Sequence, residues 1–233
     1  MGTAVNKNRT SVATTEGTQF TNMYKYRAAA NTKDFQRDLD TITQNCFFAP
    51  NFDQLNDPTE TLLLSNNFKV LTAALVQALS PSSQKELDKV LEALDAVISR
   101  RNEIGIYSLS GTYKDEILWA HYSNSHHGFC IEYDLNLLLK KNKVDVLYSF
   151  PVEYAPQPPQ IEFKDLSDKT GISIVRKLAG YKSLRWKYEE EYRIITQELG
   201  MYRYNYEALK AIYFGLRMPN NQKHEIMDRL KGR

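Results

Sequence analysis

Hydrophobic and polar positions change period several times along this chain of 233 residues, and each change predicts a new element. Residues 1 to 20 have no period and are rich in Thr, Ser and Asn, which predicts a flexible leader ahead of one domain over 21–233. From Met23 to Arg27 the chain alternates, with Tyr24 and Tyr26 on one side and Lys25 and Arg27 on the other, and reads as a strand. Phe35, Leu39 and Ile42 recur at helical spacing behind Asn31-Thr32, so a capped helix is expected over 34–43. A short apolar strand at 46–49 stops at Pro50. Helices are expected at 62–79 and 81–101, the second from the stripe Leu87, Val90, Leu91, Leu94, Val97 and Ile98.

Further along, strands are expected at 104–110, 129–134, 144–149, 152–154, 201–204 and 209–214, with helices at 117–122, 135–141, 172–181 and 220–230. The most informative stretch runs from Trp186 to Thr196. Read as a strand, it sets Trp186, Tyr188, Tyr192 and Ile194 on one face and Lys187, Glu189, Glu191, Arg193 and Ile195 on the other. At ~3.3 Å per residue, Glu189, Glu191 and Arg193 then stand in a row about 7 Å apart. The strand at 201–204 is expected to pair with it. The fold class is α+β, a single domain with a mixed or mainly antiparallel sheet packed with helices.

Composition narrows the function classes. With 42% hydrophobic and 25% charged residues, the chain can bury one sizeable core. Its 30 basic and 28 acidic residues leave a net charge of +2, too balanced to predict a nucleic-acid or membrane partner from electrostatics. No run reaches the ~20 apolar residues of a membrane span, and residues 1 to 20 lack the apolar segment of a signal peptide; a soluble cytoplasmic protein is expected. Cys46 and Cys130 each sit in an apolar run, which predicts buried free thiols rather than a disulfide or metal site.

Candidate chemistry is scattered. Three of the four histidines, His121, His126 and His127, fall close together, but their spacing does not place them on one helical face. No metal site is predicted, and His121 is the candidate for hydrogen bonding or acid-base work. Asn56 and Asp57, ahead of Pro58, either rim a site or form an Asx-type turn. Ser108 and Ser110 share one strand face without the glycine-framed elbow of a serine nucleophile. Scattered glycines provide neither a phosphate-cradling loop nor a dinucleotide fingerprint. Glu189 and Glu191 beside Arg193 can divide into a polarising base and an arginine-held partner, or both can face cations across the sheet.

Several motifs in order carry a resemblance: Tyr24-Lys25-Tyr26-Arg27, Asn56-Asp57-Pro58-x-Glu60, Ser108-Leu109-Ser110, Leu118-Trp119-x-His121-Tyr122 with His127-Gly128-Phe129-Cys130-Ile131, and Lys182-x-x-x-Trp186-x-Tyr188-Glu189-x-Glu191-Tyr192-Arg193. Together they resemble the bacterial domain-of-unknown-function family 2971, over about residues 22 to 216. The resemblance implies a small accessory or defence-associated protein, phage defence included, and no assigned activity. The order Arg27, Ser108-Leu109-Ser110, Glu189-x-Glu191 also resembles the ADP-ribosyltransferases. That second resemblance implies NAD as the nucleotide, with Arg27 on its phosphate, Ser108 steadying the catalytic strand, Glu191 at the nicotinamide ribose and Arg193 orienting Glu191 or a phosphate. The expected site comprises Glu191, Glu189 and His121 as catalytic groups. Arg27, Tyr24, Ser108, Ser110, Tyr122, Arg193, Asn56 and Asp57 are expected to bind a nucleotide or nucleic-acid-derived ligand. Two other readings stay open: an interaction module in which these charges form a structural network, and a nuclease using Asp57, Glu189 and Glu191.

Overall fold

Alternating side chains build most of the observed strands. The computed structural model describes residues 21–55, 103–140, 146–160, 165 and 172–232. In chain order its elements are β1 (Asn22–Arg27), α1 (Thr32–Thr43), β2 (Cys46–Ala49), β3 (Gly105–Ser110), α2 (Glu116–Tyr122), β4 (Phe129–Asp134), α3 (Leu135–Leu139) and β5 (Val146–Pro151). There follow β6 (Glu153–Ala155), α4 (Ile172–Ala179), β7 (Tyr181–Ser183), β8 (Glu191–Thr196), β9 (Gly200–Arg203), β10 (Leu209–Phe214) and α5 (Asn220–Arg229). Six strands form one sheet in the order β10-β4-β1-β3-β8-β5, and every neighbouring pair is antiparallel. The fold is α+β. The helices expected at 62–79 and 81–101 lie outside the described residues.

Alternation divides the core between the two faces of the sheet. Met23, Phe129, Ile131, Tyr107, Leu109, Tyr192 and Ile194 point to one face, where α1 covers them with Phe35, Leu39 and Ile42. Helix α1 starts as its sequence suggests, because the Asn31 side chain accepts a hydrogen bond from the Asp34 amide. On the other face, Tyr26 and Cys130 pack on Leu118 and Trp119 of α2, while Ile106, Ile195 and Phe150 pack on Ala179 of α4. Both cysteines are buried free thiols.

The strand expected over 186–196 begins late. Leu184–Glu189 form a 3-10 helix, Glu190 turns the chain with a left-handed φ of 45°, and β8 starts only at Glu191. Trp186 and Tyr188 are therefore not on the strand. The segment expected at 201–204 is a strand, but it pairs with β2 rather than with β8. β7 runs parallel to β6, setting Tyr154 opposite Lys182.

Strand β1 is joined unevenly to its two neighbours. It pairs with β4 all the way from Asn22 to Arg27, whereas its register with β3 holds only at Tyr24 opposite Ser110. Past that pair the two strands part, so the centre of the sheet is opened.

The histidine-rich segment is a turn between α2 and β4. Asn124, Ser125 and His126 take consecutive left-handed φ values of 51°, 52° and 69°, a conformation costly for non-glycine residues. Backbone bonds hold it: the Ser125 amide donates to Ala120 O, His126 to Trp119 O and Gly128 to Ser123 O. The His126 ring stacks on Trp119 at 5.7 Å. Gly128 closes the turn against β1, where a Cβ would stand 1.9 Å from the Arg27 carbonyl oxygen. Gly128→Ala is expected to cost about 3 kcal/mol of stability through overpacking against backbone that cannot retreat, measured as a lower urea midpoint with an unchanged m-value.

Candidate functional site

Strands β1 and β3, in register only at Tyr24 and Ser110, both line a cavity of about 210 Å³. Residues two apart on each strand share a face, so β3 contributes Ile106, Ser108 and Ser110, and β8 contributes Glu191 and Arg193. Ladder register sets Ser110 opposite Glu191 and Ser108 opposite Arg193. Tyr24 and Tyr26 enter from β1, Tyr122 from α2, Lys182 from β7 and Glu189 from the end of the 3-10 helix.

Four buried charges form the wall. Lys182, Glu189, Glu191 and Arg193 are 6%, 3%, 5% and 1% exposed, so each needs its partners. Lys182 Nζ lies 2.6 Å from Glu189 Oε2 and 2.9 Å from Glu191 Oε2. Arg193 holds Glu191 with two prongs, Nε to Oε1 at 2.8 Å and Nη2 to Oε2 at 3.1 Å. Its remaining arm, Nη1, donates to Ala179 O at 2.7 Å, the final carbonyl of α4. The Tyr122 hydroxyl donates to Glu189 Oε1 at 2.5 Å. All four carboxylate oxygens therefore have a donor.

Backbone contacts place the two carboxylates. Ser110 Oγ donates to Glu189 O at 2.7 Å, the Gly111 amide donates to Glu190 O, and the Glu191 amide donates to the Tyr154 hydroxyl at 2.7 Å. The left-handed Glu190 lets Glu189, which is not on the strand, face the same space as Glu191. Burial alone would raise the Glu191 carboxyl, but Arg193 and Lys182 outweigh it and, with Ser108, hold it well below the usual carboxylate range. Burial and then Glu189 push the Tyr122 phenol up, so it remains a donor. Burial, followed by Glu132, pushes the Tyr24 phenol up as well.

The expected residues separate into three groups. Glu189, Glu191, Arg193, Ser108, Ser110, Tyr122 and Tyr24 come together around the cavity. Arg27 does not join them: alternation carries it to the α1 face, where it lies 3.7 Å from Asp38. His121 is also apart, being exposed on α2 with its ring edge-on to Trp186 at 6.4 Å. The other two histidines of the cluster, His126 and His127, serve the turn, His127 Nδ1 lying 2.8 Å from Asn124 O. Asn56 and Asp57 lie outside the described residues, so a nuclease arrangement retains only Glu189 and Glu191 here. Among the described residues no group of three His, Cys, Asp or Glu could hold a metal ion, and no helix is long and apolar enough to cross a membrane.

Two lysines join the site unforeseen. Lys182 stands four residues before Trp186 in the pattern quoted above, and a lone lysine seven residues from Glu189 carries no periodic signal that it will meet two carboxylates. Lys25 alternates with aromatic residues as a surface cation would, yet it lines the cavity.

Residues 118–194 match the family described as Protein of unknown function (DUF2971). Over this stretch the chain is similar to that family. The matched stretch is narrower than the 22 to 216 read from the motifs. It includes Tyr122, Lys182, Glu189, Glu191 and Arg193, so the charged wall lies inside it, whereas Tyr24 and Lys25 lie outside. No curated protein and no solved structure matches the chain.

Removing one partner from a buried ion network costs more than the network contributes over an apolar replacement. Lys182→Met is expected to lower stability by about 3–5 kcal/mol in urea unfolding, because Glu189 and Glu191 then face each other without their shared cation. The Glu191 shift also fixes a pH dependence. Its folded-state value lies below the ordinary 4.5, so its contribution is complete above pH 4.5 and is lost as pH falls through and below that value. Unfolding midpoints taken across acidic pH are expected to drop steeply there, and less steeply in Glu191→Gln.

Proposed function

We propose that the cavity handles one end of a nucleotide and that the protein is an enzyme of the ADP-ribosyltransferase type acting on NAD. The observation that carries this reading is the convergence of an ionised, doubly held Glu191 with Glu189, two serine hydroxyls and tyrosine rings on one cavity. A volume of about 210 Å³ is below the ~300–1,000 Å³ of pockets that enclose drug-sized ligands. It suits the nicotinamide-ribose end of a dinucleotide rather than the whole molecule. When the bond between nicotinamide and ribose breaks, the electron pair leaves with the ring and positive charge develops on the sugar. A carboxylate that is already ionised and cannot rotate is suited to stabilise that charge without reorganising. Water or an acceptor nucleophile then completes the transfer. Arg27, on the opposite face of the sheet, has no part in this scheme.

One observation favours a second reading, a structural brace in a non-enzymatic module. Every oxygen of Glu189 and Glu191 already has a donor within the protein, and complete satisfaction is what a buried polar network requires to specify a fold.

Nicotinamide release from NAD by the purified chain separates the two. Enzyme action requires release by the wild type and a drop of about 100-fold or more in Glu191→Gln at a temperature where both are folded. A wild-type protein that neither binds nor consumes NAD removes the transferase reading and leaves the brace.

A further inference from the structure

Three cations and two carboxylates line the cavity, and the wall described above pairs only two of the cations with carboxylates. The third is Lys25. Its backbone belongs to the strand face that carries Met23, but its stem reaches the opening between β1 and β3. There Nζ donates to the Ser108 carbonyl at 2.8 Å and lies 4.9 Å from the centroid of the Tyr107 ring. Past Tyr24 and Ser110 the register between β1 and β3 is not continued, and the ammonium takes up this carbonyl in the gap. An ammonium has three hydrogens. One is used here, and none of the carboxylates among the described residues is paired with Lys25.

We propose that Lys25 is the anion anchor of this cavity, the side chain that receives the phosphate of a mononucleotide or of one end of a dinucleotide. This rests on the nucleotide reading above and supplies the phosphate contact that Arg27, on the far face, cannot make. The surroundings make the anchor sensitive to protons. Burial, and then Arg27 two residues on, bring the amine down to about 7, while Glu191 on β8 and Asp38 on α1 pull upward and Lys182 on β7 lowers it again. An arriving phosphate replaces the missing countercharge, so ligand binding takes up a proton at neutral pH.

Calorimetric titration with nicotinamide mononucleotide and nicotinamide riboside, which differ only by the phosphate, tests the assignment. The wild type at pH 7 is expected to bind the mononucleotide about tenfold or more tighter than the riboside. Lys25→Met removes that preference and Lys25→Arg keeps it. In the wild type the preference shrinks about tenfold between pH 7 and pH 9, where the phosphate stays doubly charged and the amine does not. This pH series needs no variant and decides the matter if Lys25→Met does not fold. A preference unchanged in Lys25→Met, or unchanged in the wild type at pH 9, overturns the anchor and leaves the nucleotide reading standing. A wild type that binds neither compound overturns both.

Discussion

Lys182 donates to two carboxylates at once, and the centre of the molecule is arranged so that it can. Stripping water from four charged groups costs several kcal/mol per ion, which a single pair seldom recovers. The expense is met by sharing. Lys182 serves Glu189 and Glu191, Arg193 closes two bonds on Glu191, Tyr122 completes Glu189, and the Ala179 carbonyl takes the last arm of the guanidinium. Those partners come from α2, α4, β7, the 3-10 helix and β8. The network therefore ties together segments that share no continuous ladder.

The cavity follows from a second constraint, the opening between β1 and β3. A sheet paired along its whole length would bring these strands together and leave no such gap. Here the pairing is spent on β4, which matches β1 from end to end. Ser108, Ser110, Glu191 and Arg193 then face a space instead of a neighbouring layer, and Lys25 reaches into it from the far side of its own strand. A site with polar groups on several elements and aromatic rings in its lining can orient a ligand without large movement.

Much of the fold was legible in the chain. The aromatic-basic alternation of β1, the apolar runs of β3, β4 and β10 and the capped stripe of α1 are local patterns, and each formed the element that its period suggests. The common face of Glu191 and Arg193 was legible for the same reason, since both lie on β8. Glu189 reached the site by another route. Alternation places it on a longer strand, whereas a 3-10 helix and the left-handed Glu190 deliver it. The histidines show the opposite case, a conspicuous cluster that backbone geometry uses for a turn.

Residue order and period by themselves determined which side chains share a strand face, and so predicted a carboxylate beside an arginine on β8, two serines on β3 and two tyrosines on β1. They could not determine which strands become neighbours or where a ladder ends, because those depend on contacts between residues far apart in the chain. Only the tertiary structure decided that Lys182 would cross to Glu189 and Glu191, that Lys25 would enter the cavity, and that Arg27, two residues away, would turn to Asp38. A buried charge settles where distant elements supply its partners, and one strand's sequence does not contain that information.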